Sequence, residues 1–267
     1  MPELTDLRTA VAGLGTRVVG REFHHVERTG STNEDLKRRA RAGAPEGLVL
    51  SADEQTDGRG RRGRTWIAPP GSSLLLSILL RPAWLLPVDG FFLTILGAVA
   101  SAEAVEQSTG LAAELKWPND LELGGRKVGG ILAETEVGGA ELKWTVVGIG
   151  INVNWDPSEI PQIAARATSL SRTAGREHPR APLLRALLQR LDYWYLGLRE
   201  GSRDGIFDAW RRRLTTLGQE VSVEQAGTMI HGVAKDVTAQ GALLVRDHAG
   251  TTHELTAGEV TVRRSDR

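Results

Sequence analysis

The chain has 267 residues, of which 33 are basic and 33 acidic, with no cysteine, 40% apolar and 25% charged residues. A chain of this size buries a core without staples, and at roughly 150 residues per domain it holds one large domain and a small companion. The lack of cysteine excludes a disulfide framework, a thiolate metal site and a catalytic Cys, and electroneutrality argues against a broadly basic nucleic-acid or membrane surface.

In chain order, the start MPELTDLRTAVAGLG lacks the basic residues and apolar run of a signal peptide, which predicts a cytoplasmic protein. Residues 4–14 carry Leu4, Leu7, Val11 and Leu14 at the spacing of a short amphipathic helix. GSTNED at 30–35 predicts a helix start, with Thr32 or Asn33 as cap, acidic residues in the first turn and basic ones near the end; Gly43 and Pro45 stop it. Residues 47–52 (GLVLSA) predict a short strand, and 73–80 (SLLLSILL) a strand buried on both faces. A long helix is expected at 88–109, ended by Gly110. Its apolar core at 91–105 is too short to span a bilayer and carries Glu103.

Strands then dominate. Residues 113–117 lead into Pro118-Asn119-Asp120 and a strand at 121–123, with Gly124-Gly125 as a hairpin turn. Two longer strands are expected at 127–136 and 142–153, and two helices at 182–198 and 204–214. From Thr215 onward short alternating runs (VSVE, MIHGVAKDV, GALLVRD, THELTAG, EVTVR) are punctuated by Gly227, Gly241, Gly250 and Gly258. That pattern predicts a small all-β barrel of about 50 residues. The expected division is therefore 1–214 and 215–267.

The densest chemistry lies in EQTDGRGRRGRTW at 54–66. Four arginines between Arg59 and Arg64 interleave with Gly58, Gly60 and Gly63. The segment contains G-x-G-x-x-G, yet a dinucleotide fold needs a helix to open from that loop. Here Ala68-Pro69-Pro70-Gly71 follows. Glycines allow close backbone approach, and arginines bind phosphate or carboxylate bidentately. Two readings stay open: a loop that closes over an anionic small molecule, and a solvated basic loop that touches RNA. KWPND (116–120), RKVGGIL (126–132) and GIGIN (148–152) favour the first, because each sits at a strand end where ligand clefts form.

With GSTN at 30–33, the arginine–glycine segment, KWPND, KVGGIL, GIGIN and a small β domain in that order, the chain resembles biotin protein ligases. The resemblance implies an α/β (α+β) fold: a mixed β-sheet backed by helices, like class II aminoacyl-tRNA synthetases, plus a C-terminal SH3-like β-barrel. It implies that biotin and MgATP give biotinyl-5′-AMP, whose acyl group passes to a lysine of the biotin carboxyl carrier domain of acyl-CoA carboxylases. No nucleic-acid or membrane partner is expected, and the enzyme is expected to be a monomer or weak homodimer. The ligand motifs begin at Gly30, leaving room for one short helix where some members carry a repressor head. A monofunctional ligase is expected.

The same resemblance implies roles. Ser31, Thr32 and Gln55 meet the ureido head of biotin and Asn33 is a further biotin contact, although Ser31, Thr32 and Asn33 also fit helix capping. Gly58 and Gly60 shape the loop, Arg59 and Arg61 meet carboxylate and phosphate, and Trp66 packs on the ligand, where a core position is the alternative. Arg62 and Arg64 are nucleotide contacts or surface charges. Lys127, in K-x-G-G, is the catalytic lysine, with Lys116 as rival or substrate-steering charge. Gly129, Gly130, Gly148 and Gly150 give biotin close approach or mark bulges. Asn119 and Asn152 meet the nucleotide. Asp120 orients or deprotonates the acceptor lysine, or simply forms a turn. His24, His25, His178, His231, His248 and His253 show no metal-ligand spacing, so magnesium is expected to arrive with ATP. A lipoate or octanoyl ligase and a nucleic-acid protein are the rivals.

Overall fold

The computed structural model describes residues 7–225, 227–256 and 258–262. In order the elements are α1 (Leu7–Ala10), β1 (Phe23–Thr29), α2 (Thr32–Arg41), β2 (Val49–Gln55), β3 (Ser73–Leu80), α3 (Phe91–Thr109), β4 (Glu114–Lys116), β5 (Asp120–Leu123), β6 (Arg126–Gly138) and β7 (Glu141–Asn152). Then come α4 (Leu170–Ala174), α5 (Arg180–Arg199), α6 (Arg203–Arg211), β8 (Glu220–Gln225), β9 (Thr228–Val237), β10 (Leu243–Asp247), β11 (Thr252–Leu255) and β12 (Glu259–Val262).

A seven-stranded mixed sheet runs in the order β1-β2-β3-β7-β6-β5-β4. β1 and β2 are parallel and the other neighbours antiparallel. A parallel pair needs a crossover, and α2 supplies it. SLLLSILL forms β3, buried at every position. Leu74, Leu76, Ile78 and Leu80 join the main core, which also holds the buried side chains of α3 and α5. Leu79 belongs to a smaller core on the other face, with Leu36 and Ala40 of α2 and Trp144 and Val146 of β7. Sequence alternation thus sorts α3 and α5 to one side of the sheet and α2 to the other.

The apolar segment around α3 reaches farther than residues 91–105 indicated. Pro87–Thr109 is long and apolar enough to cross a membrane by length and composition alone, but 67% of its most apolar stretch is buried in the protein. Gly97 explains how α3 gets so near the sheet: a Cβ there would lie 3.1 Å from both Ile131 and Val147.

The C-terminal residues form a second, antiparallel sheet, in the order β11-β10-β9-β8-β12. Its buried Val221, Val223, Ala234, Leu243, Val245 and Leu255 belong to the same core cluster as the first sheet. Trp117, just after β4, ties the two sheets together. Its backbone N–H donates to Thr216 Oγ1 at 3.0 Å and its indole N–H to the Gly241 carbonyl at 2.8 Å. The Trp117–Pro118 peptide is cis.

Several local expectations shift. Of the helix expected at 4–14 only Leu7–Ala10 is α-helical, and its residues 4–6 lie outside the described residues. β1 escaped the sequence reading because its burial does not alternate cleanly. β2 starts at Val49 rather than Gly47, because Gly47 makes a turn at φ +84°, with Val18 O only 2.0 Å from where a Cβ would be. α3 starts at Phe91, after a 3-10 turn at Pro87–Asp89. α4 was too short to show periodicity; Ser169 caps it by accepting the Arg172 N–H at 3.2 Å.

The N-terminal segment hangs on one buried carboxylate. Asp192 of α5 accepts the backbone N–H groups of Arg17, Val18 and Val19 at 2.9, 2.7 and 2.8 Å. Asp192→Ala leaves those donors without their partner, so thermal or denaturant melts are expected to show a loss of about 1–3 kcal/mol.

Candidate active site

The pocket lies on the α2 face of the large sheet, where β6 and β7 pair Gly130 with Gly150 and Leu132 with Gly148. Alternation puts Gly130, Leu132, Gly148, Gly150 and Asn152 on this face, and the glycines leave it flat. A Cβ on Gly148 would fall 2.2 Å from Asn33 Oδ1, and one on Gly150 2.8 Å from the Trp66 indole. Gly129 points elsewhere, against Gly150 O and Leu121. The cavity has a volume of about 970 Å³. Its walls come from the start of α2, the arginine loop, β4 to β7, residues 162–167, Thr261 and Val262 of β12, and Gly258 just before that strand.

A bulge aims the key lysine. The β5–β6 register pairs Leu121 with Gly129 but Glu122 with Lys127, so Val128 is the extra residue. Val128 is buried in the core, and Lys127 shares the pocket face with Gly130 despite its odd position. Lys127 Nζ donates to Asp120 Oδ1 at 2.6 Å and stands 5.8 Å from the Trp66 ring centroid. Lys116 pairs across the strands with Asp120. The backbone of Lys127 is clamped by residues 166–168: its N–H donates to Arg166 O, and its carbonyl accepts the Thr168 N–H, both at 2.8 Å.

At the other end of the pocket the helix-start residues act differently from caps. Ser31 holds the N-cap position of α2 without a side-chain capping bond. Thr32 and Asn33, expected as caps, are buried inside the first turn because their side chains bond to other elements. The Thr32 N–H and hydroxyl donate to Gln55 Oε1 at 2.8 and 3.0 Å. Ser77 Oγ of β3 lies 2.7 Å from Thr32 Oγ1 and 2.5 Å from Asn33 Oδ1. Asn33 Nδ2 donates to Glu134 Oε2 at 2.8 Å, and Lys37 Nζ donates to Glu134 at 2.7 Å while pairing with Glu34 at 2.6 Å. Burial pushes the Glu134 carboxyl up, but Lys37, Asn33 and Arg59 together hold it below its ordinary value.

The arginine loop follows β2 as a tight hairpin. Trp66 N–H donates to Gly58 O and Gly60 N–H to Arg64 O, at 2.8 and 2.7 Å. Gly58 is required there, since a Cβ would lie 2.6 Å from Trp66 O. Arg62 turns the chain in the left-handed region at φ 57°. Arg59 pairs with Glu34 and Asp57. Arg61 Nη1 donates to Asn119 Oδ1 at 3.0 Å, and Asn119 Nδ2 donates to Ile131 O at 2.7 Å. Burial lowers the Arg61 pKa, partly offset by Asp120. Arg62 and Arg64 are exposed at the pocket rim.

Two buried polar atoms in this cavity lack a hydrogen-bond partner among the described residues: Trp66 Nε1 and Asn152 Oδ1. The Asn152 amide nitrogen is bound, donating to Thr168 O at 3.0 Å. Orphaned polar groups lining a cavity are where a ligand gains most. Of the predicted site residues all but Gly58 and Gly129 line this one cavity; Gly58 shapes its loop, and Gly129 faces Leu121 instead. The sequence reading missed Glu122, Ser77, Lys37 and Glu134. Glu122 is 7% exposed and shares a strand face with Asp120; alternation in DLEL was a signal for it. Ser77 sat hidden in an apolar run. Among the described residues no cluster of three or more His, Asp or Glu is placed to hold a metal ion.

Residues 25–152 match the family model described as the Biotin/lipoate A/B protein ligase family, and residues 216–263 the one described as the Biotin protein ligase C terminal domain. The chain is 36% identical over 267 residues to a biotin--[acetyl-CoA-carboxylase] ligase of Mycobacterium tuberculosis, covering 96% of this chain and 93% of that relative. It is 32% identical over 240 residues to the bifunctional ligase/repressor BirA of Bacillus subtilis, covering 89% and 73%. Its structure is similar to that of a biotin protein ligase from Aquifex aeolicus in complex with biotin and ATP, with a TM-score of 0.77, 31% identity and coverage of 92% and 100%.

Two measurements check this geometry. Gly150→Ala drives a methyl group into the Trp66 ring, so a shifted tryptophan emission with a retained cooperative melt is expected. Glu134→Gln tests the polar network. Because the folded pKa of Glu134 is depressed, its stabilisation is present above the unfolded value of about 4.3 and is lost as pH falls through the folded value. The melting-temperature gap between wild type and variant should be open at neutral pH and close in acid.

Proposed function

The chain belongs to the biotin/lipoate A/B protein ligase family, and from that membership we propose how its pocket works as an ATP-dependent biotin protein ligase. Biotin and MgATP give biotinyl-5′-AMP and pyrophosphate; a lysine of a biotin carboxyl carrier domain then attacks the mixed anhydride and releases AMP. One observation carries the assignment of roles. A single cavity joins a neutral polar end, a glycine floor under Trp66, and the cations Arg61 and Lys127.

The neutral end suits the ureido head of biotin, since a buried urea needs neutral donors and acceptors. Ser31, Thr32, Asn33 and Gln55 supply them. The ring lies along the flat strip of Gly130, Gly148 and Gly150. The carboxylate then points to Arg59, Arg61 and Lys127, with Gly58 and Gly60 allowing the loop to close. Arg59 leaves Glu34 and Asp57 to reach it. The nucleotide falls to Arg61, Arg64, Trp66, Lys116, Asn119 and Asn152, whose free Oδ1 suits the amino edge of adenine.

In adenylation the biotin carboxylate oxygen attacks the α-phosphorus, and the bond to the pyrophosphate oxygen breaks. Charge builds on the α-phosphate beside Lys127. Asp120, 2.6 Å away, aims that ammonium. Closure of Trp66 and the loop excludes water from the anhydride. Magnesium enters as part of the MgATP substrate.

We further assign the catalytic domain to 1–214 and an SH3-like domain to 215–267, supported by the C-terminal family match at 216–263 and by the five-stranded antiparallel order. Kinship of the catalytic fold with class II synthetases is part of the same proposal. So are an acyl-CoA carboxylase as owner of the carrier domain, a monomer or weak homodimer as the working form, and the ATP-supplied cytoplasm as its place.

Biotin-dependent ATP–pyrophosphate exchange tests the reading, with lipoate assayed in parallel; exchange with biotin and none with lipoate is expected. Removing a charge that stabilises a transition state costs roughly 2.7–4 kcal/mol. Lys127→Ala should therefore lower exchange by about a hundredfold or more. A near-normal rate would take Lys127 out of this role.

A further inference from the structure

The transfer step needs a neutral amine, but an acceptor lysine with a pKa near 10.4 arrives protonated. Asp120 is engaged by Lys127. A second carboxylate stands on the same wall. Glu122 is the direct cross-strand partner of Lys127, lies two residues from Asp120 on the same strand face, and lines the cavity. It is almost fully enclosed. Thr215 Oγ1, in the connection between the two sheets, donates to its Oε2 at the long distance of 3.4 Å. Gln219, Gly258 and Thr261 line the same cavity from beyond that connection. Glu122 thus stands where the catalytic sheet meets the second sheet.

We propose that Glu122 takes the proton from the acceptor lysine in the transfer step. The proposal rests on the ligase reading above. The charged groups around Glu122 are Lys116 and Glu114 of β4, Asp120 of β5 and Lys127 across the strand pair. Burial raises its proton affinity most; Lys116 opposes this, Asp120 and Glu114 add to it, and the Thr215 hydrogen bond opposes it. The physical logic is mutual. Enclosure disfavours the Glu122 anion and equally the incoming ammonium, and one proton transfer removes both charges.

The step balances. The lysine ammonium gives one proton to Glu122 and becomes the neutral amine. Its nitrogen attacks the acyl carbon of biotinyl-5′-AMP, the N–C bond forms, and the bond from that carbon to the phosphate oxygen breaks. The second nitrogen proton leaves with AMP. Glu122 later returns its proton to water.

The test separates the half-reactions. Purified wild type, Glu122→Gln and Glu122→Asp are each given biotinyl-5′-AMP and a carrier domain in single turnover from pH 6 to 9. Biotin-dependent pyrophosphate exchange is measured alongside. In Glu122→Gln, transfer is expected to fall by about a hundredfold and by far more than exchange does, with a rate that climbs about tenfold per pH unit as the free lysine loses its own proton. Glu122→Asp, which keeps a carboxylate, should recover part of the transfer. A wild-type transfer rate and pH profile in Glu122→Gln overturns the proposal. So does an equal loss in both half-reactions. If Glu122→Gln lacks a cooperative melt, the pH profile of Glu122→Asp decides, and an unchanged profile overturns it. Wild type without biotin-dependent exchange would instead overturn the ligase reading, a different result.

Discussion

The site depends on a strip of sheet with no side chains. Gly148 and Gly150 on β7 and Gly130 on β6 leave a surface made of backbone, and two residues from distant segments settle on it. Asn33 of α2 comes so near Gly148, and Trp66 so near Gly150, that a methyl group at either position would collide. Glycine weakens a strand, but here the long pairing of β7 with both β3 and β6 carries the load. The flat floor then sets the depth at which α2 and the arginine loop sit, and hence where their polar groups point.

Upon that floor the structure separates neutral chemistry from charged chemistry. Thr32, Gln55, Ser77 and Asn33 close on one another at one end. Lys127, Asp120, Arg61 and Asn119 gather at the other. The bulge at Val128 is what brings Lys127 to the second group. A one-residue register change turns a side chain to the opposite face of a sheet, so a single extra residue decides whether this lysine faces the pocket or the core.

Much of the site was legible in the sequence, because its features are compositional. Arginines interleaved with glycines, KWPND and GIGIN stand out by residue type and spacing, and they meet in one cavity. The sheet was legible where strands were long and apolar, as in SLLLSILL. Features that depend on pairing were not. Ser77 reads as an interruption of an apolar run until Thr32 and Asn33 come to face it, 45 and 44 positions earlier in the chain. Glu122 reads as a surface charge until β4, β6 and Thr215 enclose it. β1 was missed because an edge strand with uneven burial has no clear period. The reading of Thr32 and Asn33 as caps failed for a related reason: local propensity yielded to long-range bonds.

The partners of Arg59 have a consequence for selectivity. In this structure its guanidinium faces the carboxylates of Glu34 and Asp57, and Glu34 is shared with Lys37. An anion that draws on Arg59 must compete with internal carboxylates as well as with water. A lone inorganic anion offers too little contact elsewhere to win that exchange, whereas a ligand that also fills the neutral end and the glycine floor brings the missing free energy with it. The loop is thereby guarded against the phosphate, sulfate and polyanions of a crowded solution, without any need to make the arginine less basic. The pairing of opposite charges that a bulk net charge of zero conceals is thus at work around one side chain and its neighbours.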